Sequence, residues 1–263
     1  MARFCSLFSS SSGNSTFIGS SRTGILIDAG VTAKKLREAL SGRDIDPESI
    51  KGIFITHEHI DHIKDIKVFC SAHGIPVYAT KGTCEGLSEA DMLNGKFPVQ
   101  IIGEEGAEIG DLFIKPFRTP HDSNESCGYK IFLPDERTVC VATDIGHITE
   151  EITKNLIGSD LVMIESNHDI GMLQNGMYPY YLKRRILSDR GHLSNVACAE
   201  LTKELVKNGT TRLFLGHLST DNNMPELAYQ TNFASIYETG AVLDRDYMLE
   251  VNAKENTKQI VRF

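Results

Sequence analysis

The chain has no tryptophan, and its six cysteines (Cys5, Cys70, Cys84, Cys127, Cys140 and Cys198) form no C-x-x-C pair. Scattered single cysteines exclude zinc fingers and dithiol redox motifs, and they suit a compartment that keeps thiols reduced. No apolar run approaches the roughly 20 residues that a membrane helix needs, so no membrane partner is expected. The segment Met1 to Ser9 carries no apolar stretch of signal-peptide length, and a cytoplasmic protein is expected. Positive charge is also scarce. Against 35 Asp and Glu stand 27 Lys and Arg, a net charge of -8. That balance excludes a broadly basic nucleic-acid-binding surface and leaves room only for a local patch.

What is present is an ordinary globular chain of 263 residues, 41% apolar and 24% charged. No linker or short-period repeat interrupts it, and it reads as one domain over residues 1–263. Strands are expected at Arg3–Phe8, around Phe17 and at Ile25–Ile27, with a loop through Ser9-Ser10-Ser11-Ser12-Gly13-Asn14. A helix follows from Thr32 to Leu40, with Thr32 as N-cap. A strand over Gly52–Ile55 precedes a helix ending near Gly74, a suitable C-cap. Later strands fall at Ile75–Ala79, Val99–Ile102, Leu112–Pro116, Gly128–Leu133, Thr138–Ala142, Leu161–Ile164 and Leu213–Leu215. Helices fall at Lys81–Ala90, Thr149–Ile157, Ser194–Lys207 and Pro225–Tyr237. Two short strands close the chain, and Ile170–Leu193 reads as irregular. Sheet layers inside with helices outside are the simplest packing of these elements.

One stretch concentrates the chemistry: Thr56-His57-Glu58-His59-Ile60-Asp61-His62, at the end of an apolar strand. Burying so many polar groups beside a strand is costly unless they are paired, and a metal pairs them. His57 and His59 at i and i+2 share a side of an extended chain, while Asp61 and His62 lie on the next turn. Further donors follow other strand ends: His121 after Phe117, Asp144 after Ala142 and His217 after Leu215. Seven nitrogen and oxygen donors exceed one tetrahedral ion and suit two ions sharing a carboxylate. Zn or Mn fits such a set, and Fe fits it too.

The pattern His-x-His-x-Asp-His at His57, His59, Asp61 and His62, then His121, Asp144 and His217 in order, resembles the metallo-β-lactamase fold hydrolases. That resemblance spans nearly the whole chain. It implies an α+β, four-layer αβ/βα sandwich with two mixed sheets inside, helices outside and the metals in a cleft at the edge. Asp144 and the complete first motif match its phosphodiesterase and thioesterase branches. Local segments resemble the YycJ/WalJ group of bacterial exonuclease-type proteins: Ser10 to Ser15, Glu165 to Asp169, Tyr178 to Ile186 and Gly191 to Asn195. This implies a 5'-end-directed DNA exonuclease linked to DNA repair.

Gly-His-Leu-Ser occurs at Gly191–Ser194 and again at Gly216–Ser219. His217 follows an apolar strand and is the better metal ligand. His192 precedes a helix start, which favours phosphate, so His192 is assigned to the substrate phosphate or the leaving group. His168, with Glu165 beside it, is placed near the site as ligand support or substrate contact. His147 lies three residues after Asp144, and His73 reads as a helix-end residue. Lys183 and Arg184, among Tyr178, Tyr180 and Tyr181, offer phosphate contacts and stacking surfaces; the competing reading is a solvated helix face. Asp61 and His192 are the expected catalytic residues, Asp61 orienting the attacking water. The alternative activity is hydrolysis of a small thioester or lactone, and a non-catalytic metal-binding regulator would need an incomplete ligand set.

Overall fold

The computed structural model describes residues 1–263. Its first half builds one sheet. β1 (Arg3–Ser10), β2 (Gly13–Gly19) and β3 (Gly24–Ile27) form an antiparallel meander. β4 (Ile50–Phe54), β5 (Val77–Ala79) and β6 (Val99–Ile101) extend it in parallel. Helices α1 (Ala33–Ser41), α2 (Ile60–Ile63), α3 (Ile66–His73) and α4 (Lys81–Glu89) lie in the connections.

The second half repeats the plan. β7 (Ala107–Ile109), β8 (Leu112–Arg118), β9 (Cys127–Phe132) and β10 (Thr138–Ala142) pair antiparallel. β11 (Leu161–Glu165), β12 (Arg212–Gly216) and β13 (Met248–Val251) continue in parallel. Its helices are α5 (Glu150–Leu156), α6 (Ile170–Asn175), α7 (Tyr180–Ile186), α8 (Asn195–Lys207) and α9 (Pro225–Tyr237). The last strand, β14 (Val261–Arg262), crosses back to pair with β1, making both sheets seven-stranded.

The four layers follow from alternation along strands buried on both faces. Ile25, Ile27 and Phe54 meet Val139, Val141, Leu161 and Met163 between the sheets. Their neighbours in sequence point outward. Leu26 and Ile53 pack with Leu36 and Phe69, whereas Cys140, Val162 and Leu213 pack with Leu201 and Ile236. The αβ/βα sandwich expected from the sequence is the observed architecture.

Caps agree as well. Thr32 accepts from the Lys35 amide, Ser194 accepts from the Ala197 amide, and Gly74 ends α3 at φ 65°.

Four local differences from the sequence reading stand out. The serine run is not a six-residue loop: β1 and β2 continue through it to a two-residue turn at Ser11-Ser12. Asn14 stabilises that turn by accepting from the Ser10 amide and donating to the Ser10 carbonyl, which propensity alone does not reveal. The stretch Ile170–Leu193 is not irregular but holds α6 and α7, both shorter than an amphipathic period makes visible. The short strand β7 was not expected, and the single helix expected after the histidine motif is divided into α2 and α3. All six cysteines are unpaired, and no helix is long and apolar enough to cross a membrane.

Candidate metal centre

Parallel neighbours bring strand ends to a common edge. Ile27 pairs with Phe54, Ala142 with Ile164, and Glu165 with Gly216. The residues that follow these strands therefore meet where the two sheets' edges converge. Gly30 shows how tightly: a Cβ there would stand 1.6 Å from the Asp61 carbonyl oxygen, so only glycine fits under the motif. Asp28, Asp144 and His217, all at strand ends, adopt positive φ of 63°, 58° and 54°. Such backbone conformations cost energy outside glycine and concentrate at functional sites.

All seven expected ligands come together. His57, His59 and His121 form one group whose ligand atoms lie within 4.8 Å of one another, and Asp61, His62 and His217 form another. Asp144 lies between: its Oδ2 is 3.3 Å from His62 Nε2, and its Oδ1 is 3.7 Å from His121 Nε2 and 3.4 Å from His217 Nδ1. Two further groupings join His57, His62 and Asp144, and Asp144, Glu165, His192 and His217.

The ring nitrogens show what the residues are prepared for. His121 Nδ1 donates to the Gly191 carbonyl, 3.0 Å away, so the proton sits there and Nε2 faces His59 Nδ1 at 3.4 Å. His62 Nδ1 donates to Asp28 Oδ2 at 2.7 Å, and His217 Nδ1 donates to Glu165 Oε1 at 2.8 Å. His57 Nδ1 is 3.0 Å from the Thr56 hydroxyl. On the far sides, His57 Nε2, His217 Nε2 and Asp144 Oδ2 are buried without any hydrogen-bond partner. Buried orphans of this kind are expensive, and one tied nitrogen with one free is the preparation a metal ligand requires. The donor set fits divalent metal ions.

The two sides differ electrostatically. Burial holds His57 and His121 below their ordinary range, and for His57 the neighbouring His62 adds to it. Burial also acts on His217, but Asp144, Asp61 and Glu165 outweigh it and raise that ring to about 10. Asp28, Asp144 and Asp61 raise His62 in the same way. Burial works to raise Asp144 and Asp61, yet the facing imidazoles hold both well below the carboxylate range.

Two carboxylates escaped assignment from the sequence. Asp28 ends β3 and accepts from the Thr56 amide, the Thr56 hydroxyl and His62. Glu165, read only as a neighbour of His168, ends β11 fully buried. It accepts from His192, His217 and the amides of Ile145 and Leu193. Those imidazoles outweigh its burial and hold it at about 2. The missed signal is an acid directly after a buried strand. The corrected hairpin contributes too. Ser9 Oγ accepts from the His217 amide at 2.8 Å, and Asn14 Nδ2 lies 3.3 Å from Asp61 Oδ2.

Among the expected substrate residues, His192 reaches the centre, its Nδ1 held by Glu165 at 2.8 Å. His168 follows β11 and its backbone bridges to Ser194, two residues beyond His192; it joins no ligand group, is 1% exposed and has neither ring nitrogen partnered. Burial lowers it to about 4, so the ring is neutral. Lys183 donates to the carbonyls of Gln174 and Gly176, tying α6 to α7. Arg184 lies over the Tyr180 ring, and Tyr180 and Tyr181 are about three-quarters exposed. His147 Nδ1 donates to the Asp189 carbonyl at the surface, and His73 ends α3. Beside His192 opens a cavity of about 480 Å³ bordered by α8.

A family model described as "Beta-lactamase superfamily domain" matches residues 23–218. The chain is 36% identical over 232 residues to exodeoxyribonuclease WalJ of Streptococcus pneumoniae, covering 87% of this chain and 86% of that one. It is 34% identical over 241 residues to exodeoxyribonuclease YycJ of Bacillus anthracis, covering 90% of each. Its fold matches that of the metallo-beta-lactamase fold protein YhfI from Bacillus subtilis with a TM-score of 0.74 at 14% identity, over the full length of both. The chain belongs to the beta-lactamase superfamily, in the group that includes WalJ and YycJ.

Proposed function

We propose that the chain, acting as one catalytic unit, is a two-metal phosphodiesterase that removes nucleotides from DNA ends, 5'-directed and serving repair. The observation that carries the reading is the prepared ligand set, in which His57 and His217 keep Nδ1 held and Nε2 buried without a partner, beside the unpartnered Asp144 Oδ2. The exodeoxyribonuclease names of relatives at 34–36% identity support DNA as the substrate. Zn or Mn suits these donors, with Fe a third option, and six unpaired cysteines suit a reducing, cytoplasmic setting.

His57, His59 and His121 would hold one ion, Asp61, His62 and His217 the other, and Asp144 both. Divalent ions bound there neutralise charge on a phosphate and make a water acidic enough to attack near neutral pH. Asp61, steadied by Asn14, orients that water. Glu165 accepts from His192 Nδ1, and His192 in its imidazolium form would give the Nε2 proton to the departing oxygen. Tyr180, Tyr181 and Arg184 offer a stacking surface for a strand, and Lys183 frames it.

End-labelled DNA with added Zn or Mn tests this. Asp61→Ala is expected to lose roughly a thousandfold or more of the hydrolysis rate while the fold persists. A normal rate in Asp61→Ala would overturn the mechanism. The partly apolar cavity beside His192 favours a second reading, hydrolysis of a small thioester or lactone at the same centre. Turnover of such esters with no cleavage of DNA would select it.

A further inference from the structure

We propose that the cavity beside His192 takes the base of the terminal nucleotide, with preference for a base that bears an exocyclic amino group. This rests on the phosphodiesterase reading, which puts a phosphate at the metal centre. His192 belongs to both places: it lines the cavity, and its Nδ1 lies 2.8 Å from Glu165 and 3.7 Å from Asp144. A nucleotide whose phosphate sits among these ligands has its base at the cavity.

The lining suits a flat apolar ring with a polar edge. Ile148, Ile170, Leu187, Leu193, Ala197 and Leu201 supply aliphatic surface from separate segments. Ile170 and Leu187 are left 37% and 44% exposed, so a ring laid against them removes apolar area from water. His168 lines the same cavity at 1% exposure with both ring nitrogens unpartnered. A neutral imidazole offers one donor and one acceptor, which a base edge satisfies and an acyl chain does not. Its cost when unpaired marks the place of a hydrogen-bonding occupant.

Charge then selects among such occupants. Glu200 and Glu204 stand on the α8 wall, one turn apart. Two carboxylates repel a second phosphate. They accept from the amino groups of adenine, cytosine or guanine, whereas thymine has none to give. The volume of about 480 Å³ lies in the range of small-ligand pockets, and it holds a nucleoside with room to spare.

The test titrates dAMP, dTMP and deoxyribose 5-phosphate into the metal-loaded full chain by calorimetry, with cleavage of end-labelled DNA measured alongside. dAMP is expected to bind about tenfold more tightly than deoxyribose 5-phosphate, and a few-fold more tightly than dTMP. Ala197→Phe fills the cavity, and Leu187→Trp fills it from an exposed position that leaves the core intact. Both are expected to erase the advantage of the base while deoxyribose 5-phosphate still binds. Equal affinities in the unaltered chain, or a base advantage that survives both fillings, would overturn the assignment. DNA cleavage without a base advantage sinks only this inference. A base advantage with no DNA cleavage sinks the phosphodiesterase reading and leaves a nucleotide site.

Discussion

The first sheet delivers its ligands in one stroke and the second delivers them one at a time. The proposed ligands His57, His59, Asp61 and His62 come from six consecutive residues after β4, whereas His121, Asp144 and His217 follow three separate strands. Support differs in the same way. In the first half Thr56 and Asp28 brace His57 and His62. In the second, one buried carboxylate, Glu165, braces two histidines and two backbone amides. The difference teaches that the first half builds its geometry locally, while the second borrows it from sheet register.

Asp144, where the halves meet, is the place to break the comparison. Asp144→Asn is expected to cut hydrolysis by roughly a thousandfold or more, as loss of a shared ligand should. It should also lower bound metal from about two ions per chain toward about one, read by equilibrium dialysis. Unchanged stoichiometry would show that the halves bind independently.

Next come the supporting carboxylates. Each of Asp28→Asn and Glu165→Gln is expected to cost about 10- to 100-fold in metal affinity or rate. Glu165→Gln should cost more and should alter the pH profile of kcat, because it frees His192 and His217 together. Asp28→Asn should leave that profile in place. An identical pair of profiles would remove the asymmetry between the halves.

The smallest effect is a slope. In metal-free protein, His57 and His121 lie below the ordinary 6.5, so their contribution is present above about 6.5 and lost as pH falls. His217, raised to about 10, contributes fully below 6.5, and that stability is lost as pH rises toward 10. Urea midpoints should therefore peak near the ordinary histidine value and fall on both sides. Asp144→Asn should flatten the alkaline side first, since Asp144 is the main group raising His217. A midpoint that climbs steadily to pH 10 would contradict this.

The same asymmetry sets what was legible in the sequence. Alternation and caps point to the layers, and a motif compact enough to read in one window points to four of the proposed ligands. His121, Asp144 and His217 were legible as polar residues following apolar runs. Asp28 and Glu165 follow the same rule, but an isolated acid at a strand end carries no spacing to mark it as a brace, and Glu165 reads only as a neighbour of His168. What brings them to the centre is parallel pairing, β3 with β4, β10 with β11 and β11 with β12, which aligns their ends. The serine hairpin was hidden for another reason. Its composition reads as loop, but Asn14 bonds back to Ser10 and turns it into strand. Lys183 looked like a phosphate contact until the carbonyls of Gln174 and Gly176 took two of its donors.

That hairpin has a mechanical side. From the first sheet, Ser9 grips the His217 amide in the second, and from the second sheet Tyr129 donates to the Ile55 carbonyl in the first, 2.7 Å away. These stitches flank the ligand set, which itself spans the seam between the sheets. Metal held there by residues of both halves would add a further tie between the sheets at that edge.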